Sequence, residues 1–470
     1  MMTPALALFY GGFVGERMAI STMMMSFVAL SIITIEWSLL TYSLAFTPHT
    51  DAAIDPWIGN LYYGAFDSKD TLRSGTNIPE HANFIFQCAF ATVTSAVISG
   101  GVVGRVTYSA WSVFIILWHL FVYTPLARWI FYSGGWLAQR GVLDFAGGLV
   151  VETNSGVSAF VLAAWISWEM HRAGRLPKPL KSVATDSKLL IRVAEPAESW
   201  SGGAMDRVNR APHNVPFILI GAGLLFFGWL GFNSGSALSS GFRASRAFSN
   251  TAIAGAAGMA GMALAETIGK RSKGKWGVPS AVGCATGVVV GLVAITPACG
   301  YVSQMSSLVL GFITGILAFF AERLLRERLT AVDDTLSVFT GHGLGGMLGI
   351  IATGLVASTN QGSPSDGAFF KNGTLLGWQL AGICVTLAMS ILGTSAAWLM
   401  TRGLFSLLLI DFLVPLESAD SLDISLHGEA AYATPKDGAW TEARIIALIK
   451  REAARNGFVP RKDSDAATAE

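Results

Sequence analysis

The chain has 470 residues, 52% of them hydrophobic and only 13% charged, where soluble domains carry roughly 25% charged residues. Its mean hydropathy is +0.51. Together these values exclude a soluble enzyme, a disordered regulator and a nucleic-acid binder. Lys+Arg number 32 and Asp+Glu 31, so no global field draws charged partners.

A bilayer core takes about 20 apolar residues as a helix. Residues 1–15, MMTPALALFYGGFVG, are apolar but too few. Met1 to Tyr10 covers roughly 15 Å at helical rise, about half the bilayer. Runs of spanning length follow over 22–46, 83–103, 108–131, 147–168, 216–238, 250–269, 279–299, 304–324, 335–357 and 376–410. The expected fold class is all-α: a polytopic membrane protein of eleven transmembrane helices, the first truncated. A transmembrane domain is expected over 1–415, with a polar loop insertion over 171–214. Residues 416–470 form a polar tail, with an amphipathic stretch from Thr441 to Asn456.

Basic residues set the orientation. Arg172, Arg175, Lys178, Lys181, Lys188, Arg192, Arg207 and Arg210 crowd one loop. Lys270, Arg271, Lys273 and Lys275 mark the next loop of that side, then Arg323, Arg326 and Arg328. The alternate loops hold fewer. The tail, with Lys436, Arg444, Lys450, Arg451, Arg455, Arg461 and Lys462, then falls in the cytoplasm with the insertion, and an odd number of spans puts the N-terminus outside. No cleavable signal pattern precedes the first helix. Cys88, Cys284, Cys299 and Cys384 sit in or beside apolar runs without a CxxC or Cys/His cluster. No disulfide framework, metal site or cofactor is expected. The 52 glycines suit tightly packed membrane helices.

A spacing recurs. Asp144, Glu152 and Gly156 are matched by Asp334, His342 and Gly346, with the same intervals in DFAGGLVVETNSG and DTLSVFTGHGLGG. Each Asp opens a span, where it can cap the helix. The two runs enter from opposite sides, as an inverted repeat requires. Ionisable groups at membrane depth are functional candidates. If the halves are symmetric, Glu152 and His342 meet near the bilayer centre. A carboxylate in contact with an imidazole can pass a proton, or can merely satisfy a buried pair. Glu36 and His119 read as helix-contact groups, and Glu266 as a side chain snorkelling from a helix end.

Five motifs in order now carry a resemblance: LDFAGGLVVETNSGV, FGWLGFNSGSAL, VAITPACGYVS, DDTLSVFTGHGLGGMLG and LDISLHGEAAY. FYGGFVGER and TMMMSF near the start agree. The chain resembles the ammonium transporter family (Amt/Mep/Rh) over nearly its whole length. The resemblance implies eleven membrane helices in two inverted pseudo-repeats. It also implies a plasma-membrane homotrimer with one pore per subunit, serving nitrogen utilization. Ammonium and methylammonium are the implied substrates, and the lipid bilayer the surroundings. About ten or more apolar residues precede FYGG in relatives than precede it here.

The resemblance assigns residues one at a time. Tyr132 matches an aromatic that recruits the cation, where many relatives carry Trp. Ser236 matches the hydroxyl beside it. Phe90 and Phe232 match a stacked phenyl gate, and Trp229 a pore-lining indole. Asp144 matches a carboxylate that favours the cation without touching it. His342 matches the second of two paired histidines. Glu152 stands at the first, as in a subgroup of fungal methylammonium permeases, and keeps a proton acceptor there. The expected function is net ammonium uptake: recruitment outside, deprotonation at the gate, passage of ammonia, and a proton relay through Glu152 and His342. An electroneutral ammonia channel and an ammonium sensor signalling through the tail remain alternatives. The tail is expected to contact a neighbouring subunit and is a candidate site for a cytoplasmic regulator. Hydroxyls of the insertion (Ser182, Thr185, Ser187, Ser199, Ser201) are candidate phosphorylation sites. No Gx-Ser-xG elbow or HExxH spacing supports an enzyme.

Overall fold

The computed structural model describes residues 1–62, 64, 71–73, 75–173, 212–271, 275–329, 332–414 and 422–432. The hydroxyls of the insertion and the Thr441–Asn456 stretch lie outside the described residues.

Among these residues the fold is helical, with only two isolated β-bridges. α1 is Met2–Phe13. α2 joins Ala19–Glu36, a π turn over Trp37–Thr41, and Tyr42–Phe46. α3 is Glu80–Ile98. α4 joins Tyr108–Trp118, a π turn over His119–Tyr123, and Thr124–Phe131. α5 opens with a π segment over Gly148–Thr153 and continues as Asn154–Arg172. α6 is Val215–Gly235, α7 Phe242–Gly269, α8 Ala281–Ile295 and α9 Gln304–Arg328. α10 opens with a π segment over Phe339–Leu344 and continues as Gly345–Val356. α11 is Gly373–Leu407, and a short α12, Leu422–His427, lies in the tail. Nine helical stretches are long and apolar enough to cross a membrane, and α1 and α8 are shorter apolar helices. The membrane fold expected from the sequence is present.

Large apolar side chains such as Ile35, Leu39, Phe227, Ile313 and Leu392 are exposed. In water that would be a liability; against lipid it costs nothing. The polar backbone is satisfied within each helix, as hydrocarbon demands.

Small residues draw the helices together where lipid supplies no hydrophobic drive. A Cβ on Gly258 would stand 2.4 Å from the Gly287 carbonyl oxygen, and one on Gly315 2.3 Å from that of Gly258. α7, α8 and α9 therefore pack backbone to backbone. Polar clasps set other contacts. Trp118 donates to Ser158 (3.0 Å) and Thr394 (3.1 Å), and Ser390 donates to Asn154 (2.8 Å). These bonds fix α4 and α11 on α5.

Two expectations need correction. α7 begins at Phe242, not at 250, because Arg243 and Arg246 bond the carbonyls of Gly362 and Gln361 and keep the first turns helical. Glu266 does not snorkel. It is buried, paired with Lys270 at 2.8 Å, and accepts from the amide and hydroxyl of Ser280 at the start of α8.

The tail segment docks on its own chain. Asp423 accepts the amides of Ile20 (3.0 Å) and Ser21 (2.8 Å), capping α2. The His427 ring lies 2.7 Å from the Tyr108 hydroxyl. His213 meets the Tyr432 hydroxyl at 2.9 Å, and Asn214 donates to it.

Candidate transport path

Asp144 precedes α5 and caps it. Its two oxygens accept the amides of Gly147, Gly148, Leu149 and Val150 at 2.9, 2.5, 2.8 and 3.3 Å. Gly147 is left-handed (φ +109°), which glycine alone adopts freely and which lets the chain turn onto the carboxylate. Asp334 does the same for α10, accepting the amides of Val338 (3.0 Å) and Phe339 (2.9 Å). Burial pushes the Asp334 carboxyl up to about 6, against those amides, which favour its charged form. Behind each cap lies a π segment, a rarity that gathers at functional sites. Glu152 sits in the first and His342 in the second.

α5 and α10 cross almost without side chains. A Cβ on Gly156 would stand 2.1 Å from the Gly343 nitrogen. One on Gly346 would stand 2.7 Å from the Gly148 oxygen and 2.8 Å from the Glu152 Cβ. The two glycines of the repeated spacing thus face the partner's repeat reciprocally. That crossing brings His342 Nδ1 to 2.7 Å from Glu152 Oε2. Both residues are buried.

Above the pair, Phe90 and Phe232 stack with centroids 3.7 Å apart and planes 15° apart. Phe86 packs on Phe90 (4.9 Å), and Phe131 meets it edge-on (6.0 Å). Between the phenyl rings and the pair lies a cavity of about 10 Å³, lined by Phe232, Trp229, Leu225, Val289, Glu152 and His342. That is the size of one small solvent molecule. Trp229 turns its only polar atom away, donating to Thr296 at 2.9 Å. Beyond the pair, His342 also lines an open cavity of about 690 Å³ with Tyr10, Val338 and Thr340. In order come the stacked rings, a small apolar cavity, the hydrogen-bonded Glu152–His342 pair and an open cavity.

A model of the Ammonium Transporter Family matches residues 1–182 and 190–432. The chain belongs to the ammonium transporter family. It is 36% identical over 439 residues to an ammonium transporter of Bacillus subtilis, covering 92% of this chain and 95% of that one. It is also 36% identical to an ammonium transporter of Aquifex aeolicus, covering 92% and 90%. Among solved structures, Mep2 of Saccharomyces cerevisiae superposes with a TM-score of 0.71 at 26% identity, covering 93% of this chain and 89% of that one. Mep2 of Candida albicans gives 0.71 at 28%, covering 94% and 89%. The family comprises channels and transporters, not enzymes.

Within this family fold the structure gathers Phe232, Trp229, Glu152 and His342 around one small cavity, with Phe90 stacked on Phe232. Asp144 stands apart as a backbone cap. Ser236 donates to the Phe232 carbonyl (3.0 Å), which leaves its lone pairs to accept. Tyr132 is engaged elsewhere: the Arg128 guanidinium lies 3.6 Å over its ring, and its hydroxyl reaches Asp55. Sequence reading missed Phe86, which stands one helical turn before Phe90 and so shares its face. It also missed Thr296, Asp55 and Arg128, which carry no local signal.

A second carboxylate–imidazole pair lines neither cavity. His119 Nδ1 lies 3.2 Å from Glu36 Oε2 but out of hydrogen-bonding alignment, and neither group has another polar partner among the described residues. His119 opens one π turn and Glu36 immediately precedes the other.

Proposed function

We propose that the chain takes up ammonium, and methylammonium as an analogue, across the plasma membrane. The Asp55 end faces outward and the tail end faces the cytoplasm, in line with the distribution of basic residues. The protein works as a homotrimer with one path per subunit, as its family membership suggests. The cation is recruited at the outer mouth, in the region of Tyr132 and Ser236, with Asp144 favouring it from below. Bare ammonium cannot cross the apolar chamber cheaply. It gives up its proton at the stacked Phe90 and Phe232 rings, and ammonia passes Trp229. The proton travels through Glu152 and His342, so the net event moves charge. Potassium, of similar size and equal charge, has no proton to give and is refused. The observation that carries this reading is the 2.7 Å Glu152–His342 contact at the foot of a chamber sized for one small molecule.

Purified protein in liposomes on a solid-supported membrane tests it. Ammonium pulses should give a transient current, and potassium pulses none. Ammonia flux without current would replace this reading with an electroneutral channel. A second reading, an ammonium sensor, is favoured by the tail's bonds to α2, α4 and the start of α6. A variant dead for uptake but normal in ammonium signalling would support it.

A further inference from the structure

The outer mouth holds a charge arrangement that changes what recruits the cation; this inference rests on the transport reading above. Arg128 is completely buried. Its Nε donates to the Asp55 carbonyl (2.9 Å), and its Nη1 to those of Ala45 (3.2 Å) and Thr47 (2.7 Å). Its Nη2 donates to the Asp55 carbonyl (2.7 Å) and to Asp55 Oδ1 (2.6 Å). A guanidinium has five N–H donors, and every one is spent. Arg128 is a fixed cation, and it lies 3.6 Å from the Tyr132 ring centroid. That face of the ring already carries a cation–π contact. A second cation there would meet an immobile like charge.

The carboxylate beside the ring is differently placed. Asp55 Oδ1 accepts from Arg128 and from the His49 amide (2.6 Å). Oδ2 accepts only the long Tyr132 hydroxyl contact, 3.3 Å, among the described residues. An ionised carboxylate offers about four acceptor positions, so Oδ2 has capacity left. The Asp55 side chain is 21% exposed, whereas Arg128 is 0% exposed. The neutralising partner is hidden and the carboxylate is reachable. Gly134 keeps the corner open: a Cβ there would stand 2.9 Å from Asp55 Oδ2 and 2.4 Å from Tyr132 Cε1. The corner adjoins the path, since Phe131, the residue before Tyr132, lies edge-on to Phe90 of the stacked pair.

We propose that Asp55 is the group that first docks the transported cation, ammonium or methylammonium donating an N–H to Oδ2. Tyr132 is a positioning residue, its hydroxyl holding the carboxylate and its ring held by Arg128. The docked cation then passes to the Ser236 hydroxyl and the phenyl rings. While docked, it is held by a hydrogen bond to a carboxylate oxygen rather than by a π face.

Methylammonium-driven currents in liposomes separate docking from passage. Asp55→Asn keeps an acceptor for Arg128 and removes the charge. It should raise the half-saturating methylammonium concentration at least five-fold and leave the maximal current within two-fold. Asp55→Glu, which restores the charge, should recover most of that loss. Tyr132→Leu removes the ring and the hydroxyl that holds the carboxylate, and should raise half-saturation by less than Asp55→Asn does. A larger shift for Tyr132→Leu than for Asp55→Asn overturns the proposal, as does an unshifted Asp55→Asn. If Asp55→Asn does not fold, Asp55→Ser, which also leaves an acceptor without the charge, is read in its place. Failure of the transport reading shows separately, as a native protein without current. Docking is then read from the methylammonium-induced rise in melting temperature of detergent-solubilised protein, present in the native chain and lost in Asp55→Asn.

Discussion

Glu152 and His342 are 190 residues apart in the chain and 2.7 Å apart in the structure. Their contact exists because Gly156 and Gly346 let α5 and α10 touch, backbone to backbone. A carboxylate and an imidazole so held differ by one proton between them, and either can be its host. Glu152→Ala removes one host. Methylammonium uptake should fall at least ten-fold, with the protein still reaching the membrane. Near-native uptake would remove Glu152 from the relay.

The stacked rings make a different prediction. Phe90 and Phe232 are both buried and nearly parallel, so they close the path by packing. Phe232→Ala joins the chamber to the outer mouth. Osmotic water permeability of liposomes, read by stopped-flow light scattering, should rise. Uptake should nonetheless fall, because on the proposed mechanism the cation gives up its proton at that ring. Unchanged water flux would show that the closure lies elsewhere.

The helix crossing can be challenged directly. A methyl at position 156 would meet the Gly343 backbone, which cannot swing aside as a side chain can. Overpacking of this kind costs about 1–3 kcal/mol. Gly156→Ala should lower the melting temperature and loosen the Glu152–His342 contact, reducing uptake. The same change at Gly223, which has open space, should do neither.

Glu36 and His119 supply a stability test away from the path. Removing one member of a buried ionisable pair costs about 3–5 kcal/mol, whereas apolar replacement of both is often neutral. Glu36→Leu alone should therefore melt lower than the double variant Glu36→Leu, His119→Leu. The reverse order would mean the pair has a partner beyond itself.

At the tail, Asp423 caps α2 across about 400 residues of chain, a bond to two amides. Losing such a cap costs about 1 kcal/mol. Asp423→Ala should speed limited proteolysis of the 422–432 segment. If uptake is unchanged while ammonium signalling is lost, the sensor reading gains; if cleavage is unchanged, the docking is held by Tyr108 and Tyr432 instead.

The membrane fold was legible because bilayer thickness imposes a length on every apolar run. The spacing Asp144–Glu152–Gly156 against Asp334–His342–Gly346 was legible because each copy is one short run of chain, a cap followed by the first turns of the helix it caps. The residues proposed to recruit and gate were nameable only by resemblance. Phe90 is one phenylalanine among 28, and nothing in its neighbourhood says which ring it will face. Asp55 and Arg128 were invisible for the same reason: a loop aspartate and a helix arginine 73 residues apart gain meaning only as a pair.

What the sequence determined by itself is what hydrocarbon dictates: helices, their number, and the few ionisable groups within them. Tertiary structure alone decided which of those groups meet. Among the described residues two carboxylate–imidazole pairs have their polar atoms inside the fold, His342–Glu152 and His119–Glu36. By composition they are equivalent. Among the described residues only the first has a cavity on either side of it, and the close crossing of α5 and α10 at Gly156 and Gly346 is what joins its two members.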